Sequence, residues 1–247
     1  MTHENRTNGS AKVLFLLCWL VYFASYLGRL NYTSVMPEMI GAGLLTKPQA
    51  GMLGTAYLIF YAAGQIVSGM LGDRFSPIKL IALGTLCSAA ANALFGLCST
   101  FPLMVLLRCA IGFFSSMLWP PILRLFADRM NAQDRVNYSI HMTSAVAAGT
   151  LGAYLLAALM LALGGWRAAF HGAAALMAAL GLLWLHHFRG DSGAAPAKST
   201  NQPIGNQPEA ALPFGRMLLI PGILACLYPV IAHGLFYRCW DFRQVRL

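Results

Sequence analysis

Arg29 sits in an otherwise apolar run, Tyr26-Leu27-Gly28-Arg29-Leu30-Asn31-Tyr32, slightly past the centre of a membrane-length segment. A charge at that depth in a bilayer costs about 2.5–3.5 kcal/mol even on insertion-based scales. None of the first six apolar segments contains an Asp or Glu that would neutralise it. A guanidinium without a carboxylate, facing a wet cavity, is a ready site for an anion, because its planar fork matches phosphate and carboxylate. The competing reading is an arginine that snorkels to the interface or bonds to backbone carbonyls; the anion site is the preferred one. Gln65, Trp119, Asn31 and Tyr26 are polar or amphipathic handles at membrane depth that would shape the same cavity. Tyr22 and Tyr61 belong to the same class, though a single Tyr or Trp in such a segment is an ordinary interfacial anchor.

Arg108 is the second cation inside an apolar run, and Gly112 follows it one turn later on the same helical face. The glycine would admit a neighbouring helix. A structural or gating role for Arg108 and direct ligand contact both fit this pattern.

The stretch Gly69-Met70-Leu71-Gly72-Asp73-Arg74-Phe75-Ser76-Pro77-Ile78-Lys79 is a short charged turn between two membrane-length segments, which demands a helical hairpin. Gly69 and Gly72 are expected to let the two helices approach closely there.

The elements that must position these residues are helices in a bilayer. Of 247 residues, 58% are hydrophobic and only 10% charged, against roughly 25% charged in a soluble domain. Six segments have the roughly 20 apolar residues that spanning requires: Val13–Met36, Ala50–Ser68, Ile78–Cys98, Phe101–Leu123, Ser139–Leu163 and Ala168–His187. They lack the alternation of a β-barrel strand. The six-helix bundle over 13–188 is preceded by a polar stretch, 1–12, and interrupted by a charged inner loop, Arg124–Tyr138. Pro120-Pro121 is expected to kink or end the fourth helix.

Beyond it, 189–216 reads as a linker, with Pro196, Pro203, Pro208 and Pro213 among small polar residues. A seventh segment, Met217–Phe236, carries Pro221 and Pro229. The tail 237–247 is basic and aperiodic, and is expected to reflect truncation or a frameshift near Phe236.

The net charge of +9 invites a nucleic-acid reading, which its distribution argues against. With the N-terminus cytoplasmic, the inner side holds Arg6, Lys12, Arg74, Lys79, Arg124, Arg129, Arg135, Arg189, Lys198 and Arg216, and the outer loops hold only Lys47 and Arg167. This is the positive-inside pattern of a multi-pass protein of the cell membrane. The six cysteines form no Cys-x-x-Cys pair and read as small core residues. No hydrolase elbow, zinc-protease helix motif or phosphate-binding loop is present, so neither an enzyme nor a cofactor is expected.

Gly69, Leu71, Asp73 and Arg74 resemble the loop between helices two and three of the major facilitator superfamily. Arg108 with Gly112 resembles that superfamily's helix-four element, and Gly165-Trp166-Arg167 with Phe170 resembles the start of its sixth helix. Arg29-Leu30-Asn31-Tyr32 with Met36-Pro37, and Trp119-Pro120-Pro121, are similar to motifs of the organophosphate:inorganic phosphate antiporters, which carry glycerol 3-phosphate and hexose phosphates.

The resemblance implies the N-terminal six-helix bundle of a major facilitator fold plus a partial or seventh helix. It further implies alternating-access transport of a small organic anion, with Arg29 contacting the anion and a second, C-terminal bundle as partner across the cavity. Asp73 and Arg74 would latch the inward side. Leu30 and Gln65 stand where that family often has lysine, which widens the expected substrate from phosphate esters to carboxylates. A sugar-phosphate sensor built on the same scaffold, and a fragment without function, are the alternatives.

Overall fold

The computed structural model describes residues 3–72 and 74–190, with side chains from residue 11 onward. All of these belong to one compact unit, Met1–Ser199. Asp73, the linker beyond Gly190, the seventh segment and the basic tail lie outside the described residues.

The described residues are helical throughout, without strands: α1 (His3–Gly41), α2 (Lys47–Gly72), α3 (Pro77–Leu97), α4 (Phe101–Ser116), α5 (Trp119–Arg129) and α6 (Ala132–His187). The 56 residues of α6 would stretch about 84 Å if straight, far beyond a hydrocarbon core of about 30 Å. The helix is broken at Gly164-Gly165, where Gly165 has φ +70° and ψ −169°, a conformation essentially reserved for glycine. Its arms are 132–163 and 166–187. With α4 and α5 taken as one stretch, Phe101–Arg129, the described residues hold five helical stretches long and apolar enough to cross a membrane, the last of them broken at this kink.

Several boundaries differ from the sequence-based expectation. Helix α1 starts at His3 and runs past Met36 to Gly41, since helical geometry does not stop where the apolar run does. The fourth pass breaks at Met117-Leu118, ahead of Trp119-Pro120-Pro121, with Pro in the first turn of α5, where a missing N–H is harmless. The charged loop expected over Arg124–Tyr138 is mostly helix. Its amphipathic turn buries Leu125 and Phe126, and Asn131 caps α6 by accepting a hydrogen bond from the Asp134 N–H at 2.8 Å.

Most of the packing is not between chain neighbours. α1 lies along α6, α2 against α4, and α3 against both α6 and α4. The close approach expected at Gly69 and Gly72 is absent, because a Cβ at either position would meet nothing within 4 Å. It occurs instead between α2 and α4, where a Cβ on Gly112 would collide with the Tyr57 carbonyl oxygen and one on Gly64 would lie 3.0 Å from the Phe113 carbonyl oxygen.

Two apolar layers hold the bundle. One gathers Val35, Leu53, Phe95, Ile111 and Phe170; the other gathers Val21, Ile81, Ile122, Phe126 and Trp184. Large apolar side chains such as Leu58, Ile66 and Leu155 remain exposed, as a bilayer or a second bundle permits.

Candidate functional site

Arg29 projects from α1 toward α2. Its guanidinium lies over the rings of Tyr26, 4.7 Å from the centroid, and Tyr61, at 4.5 Å. Cation–π contacts of this kind offset part of the cost of a buried charge. Nη1 also donates a long hydrogen bond of 3.5 Å to the Tyr61 hydroxyl oxygen. The same oxygen accepts a 2.9 Å bond from Gln65 Nε2. With its oxygen engaged by two N–H donors, the Tyr61 O–H is left to donate elsewhere.

The aromatic wall continues. Tyr26 packs edge-on against Tyr22 at 5.5 Å, and Tyr22 contacts Trp119 at 5.1 Å. Trp119 is presented by the break before α5, so the fourth pass carries it to α1. Arg29, Tyr26, Gln65 and Trp119 are all half-buried, and among the described residues Arg29 makes no ion pair. The arrangement is a cation and a hydroxyl donor on an amphipathic aromatic surface, with no carboxylate near. Chemically it suits a small anion.

Asn31 does not join this group. Two residues from Arg29, it faces the other side of α1, buried, and donates from Nδ2 to Asn92 Oδ1 at 3.0 Å. Asn92 in turn donates to the Ser88 carbonyl at 2.9 Å, and the Ser88 and Ser115 hydroxyls pair at 3.0 Å. This buried polar line ties α1, α3 and α4 together, so the geometry places Asn31 in the scaffold and not beside Arg29.

Arg108 is only 2% exposed. It is sandwiched between the Tyr32 ring (4.5 Å) and the Tyr57 ring (4.6 Å), and its Nε and Nη1 find no hydrogen-bond partner. Tyr57 also stacks on Tyr61 at 5.8 Å. One pair of tyrosines on successive turns of α2 therefore separates the two intramembrane cations. Gly112 packs on the Tyr57 backbone, as a helix-admitting glycine should.

At the charged turn, Arg74 is exposed and its N–H closes the turn onto the Leu71 carbonyl at 3.0 Å. Arg124 of α5 donates to the Gly72 carbonyl and lies 3.7 Å from Asp128. No cluster of metal-ligating side chains occurs among the described residues.

The residues weighed too lightly from sequence are Tyr61, on which the site converges, and Arg124, which anchors the turn. The spacing Tyr57–Tyr61–Gln65, each four residues apart, was a legible signal of one shared face. Nothing in the sequence pointed Arg124 at Gly72.

The family model described as the Major Facilitator Superfamily matches residues 18–239. A probable hexose phosphate transport protein of Chlamydia trachomatis is 32% identical over 157 residues, covering 63% of this chain and 34% of that protein. The probable sulfoacetate transporter SauU of Cupriavidus necator is 29% identical over 195 residues, covering 78% of this chain and 44% of that protein. The chain thus spans about a third to under half the length of these curated relatives. A solved bacterial homologue of the human lysosomal transporter Spinster, inward-facing and unoccupied, superimposes with a TM-score of 0.72 at 20% identity, over 84% of this chain and 48% of that one. At that identity the likeness speaks for the fold alone. With an all-helical membrane-type architecture and a family match across most of its length, the chain belongs to the major facilitator superfamily, a family of integral membrane transporters.

Proposed function

We propose that this chain supplies the anion-binding face of a secondary transporter for a small organic anion, with the N-terminus in the cytoplasm. The observation that carries the reading is the convergence of Arg29, Tyr61 and Gln65 on a half-buried surface without any carboxylate. Arg29 contacts the anion, the Tyr61 O–H donates a second hydrogen bond, and Gln65, Tyr26 and Trp119 shape the cavity.

Among the described residues, Arg29 is the one cation on this face. A second, on a facing bundle, would complete recognition of a dianionic phosphate ester; a carboxylate or sulfonate monoanion needs no second charge. The relatives' names, hexose phosphate and sulfoacetate, both denote dianions at neutral pH, one a phosphate ester and the other a sulfonate with a carboxylate, so either would use a second cation. Alternating access would follow from rocking this bundle against its facing partner around the bound anion, with Arg74 and Asp73 at the hinge-side turn and Arg108 with Gly112 stiffening the α2–α4 crossing. No catalytic step is assigned to any residue.

The test is flux. The full chain in proteoliposomes should accumulate radiolabelled sulfoacetate, glycerol 3-phosphate or glucose 6-phosphate in an Arg29-dependent manner. Arg29-dependent binding without flux would make the protein a sensor, and absence of both would defeat the proposal.

A further inference from the structure

A cavity of about 660 Å³ opens where the first turn of α3 meets the last turn of α6, lined by Ile78, Lys79, Leu182, Leu185, His186, Phe188, Arg189 and Gly190. It shares no lining residue with the proposed anion site. Its volume falls in the roughly 300–1,000 Å³ range of small-ligand sites.

The groove is built from fixed parts. Trp184 is fully buried, and its indole N–H donates to the Ile78 carbonyl at 3.0 Å, pinning α3 to α6. Phe188 packs on Trp184 at 4.5 Å, and the Arg129 guanidinium approaches the Phe188 ring at 5.9 Å. The floor is therefore aromatic, and among the described residues no acidic side chain lines the groove.

Polarity changes along its length. Leu182 and Leu185 lie deeper along α6 and are 59% and 41% exposed. His186, Arg189 and Lys79 stand at the helix ends, where membrane gives way to water. Apolar surface inward and cations outward is the polarity of a phospholipid turned into a protein wall. A water-soluble anion would leave Leu182 and Leu185 bare, and an acyl chain alone would leave the cations unused.

We propose that this groove is a binding site for an anionic phospholipid, its phosphate engaged by Lys79 and Arg189 and its upper acyl chain laid on Leu182 and Leu185. Juxtamembrane cations attract the headgroups of such lipids.

The test uses the full chain purified in mild detergent, with native mass spectrometry reading bound dioleoyl phosphatidylglycerol and, separately, dioleoyl phosphatidylcholine. The wild type should retain the anionic lipid at least five-fold better. Lys79→Gln with Arg189→Gln should abolish that preference, whereas Lys79→Arg with Arg189→Lys should keep it. Lys47→Gln with Arg167→Gln, at the other end of the bundle, should also keep it. Equal retention of the two lipids by the wild type, an equal loss in the Lys47/Arg167 control, or displacement of the lipid by millimolar inorganic phosphate would overturn the proposal.

Discussion

Arg29 of α1 and Gln65 of α2 meet at one atom, the hydroxyl oxygen of Tyr61, at 3.5 and 2.9 Å. A positive charge deep in the bundle is thereby held by an aromatic ring and a phenol, and no carboxylate neutralises it. On the proposed function, that charge is what an incoming anion would meet.

Tyr61→Phe keeps the ring under Arg29 and removes the shared acceptor. A hydrogen bond of this kind is worth about 0.5–1.5 kcal/mol net. Anion affinity should fall about three- to ten-fold, measured by titrating tryptophan fluorescence, while the thermal unfolding midpoint in detergent stays nearly unchanged.

Gly112→Ala drives a methyl group into the Tyr57 carbonyl. Backbone cannot rotate away, so overpacking should cost about 1–3 kcal/mol. Gly69→Ala meets open space and should leave the melting temperature within a degree or two. Equal behaviour of the two variants in a thermal melt would contradict the α2–α4 crossing described above.

Arg108 is stacked between Tyr32 and Tyr57, an arrangement that uses the flat face of the guanidinium. Lysine offers no such face. Arg108→Lys should therefore destabilise the bundle in a thermal melt, and Arg108→Met, which fills the slot without a charge to bury, should be the milder of the two.

Glu38 of α1 accepts the Trp166 N–H at 3.2 Å and so caps the second arm of α6 just after the Gly165 break. Loss of a cap costs about 0.5–2 kcal/mol. Glu38→Ala should lower stability by that amount and Glu38→Gln, which keeps a carbonyl oxygen, by less. Gly165→Ala, forced to φ +70°, should cost about 1–3 kcal/mol in the same unfolding assay.

The all-helical membrane class was legible because apolar runs of membrane length stand out openly in the chain. Helix partners were not, since hydropathy says which segments cross the bilayer and nothing about which neighbours they choose. Gly69 and Gly72 looked like packing glycines beside a hairpin, yet α2 packs on α4 instead, with Gly64 of α2 and Gly112 of α4 making the close approach. The charge at Arg29 stood out in the sequence; Tyr26 and Tyr61 pack on it, Gln65 joins through the Tyr61 hydroxyl, and Trp119 lies one ring further, on Tyr22. Asn31 went astray for a geometric reason: two residues along a helix is about 200° around it, which carries Asn31 to Asn92. The Arg124 contact with Gly72 joins residues 52 apart, and no local pattern encodes such a pairing.

The central claim is that Arg29 binds the anion, and the direct measurement is an equilibrium titration of the purified full chain with sulfoacetate and with glycerol 3-phosphate, wild type against Arg29→Gln and Arg29→Lys. The account predicts millimolar binding of at least one of them by the wild type, about −4 kcal/mol, lost in Arg29→Gln and weakened but present in Arg29→Lys. Binding that is the same in the wild type and in Arg29→Gln, or no binding by the wild type, would contradict it.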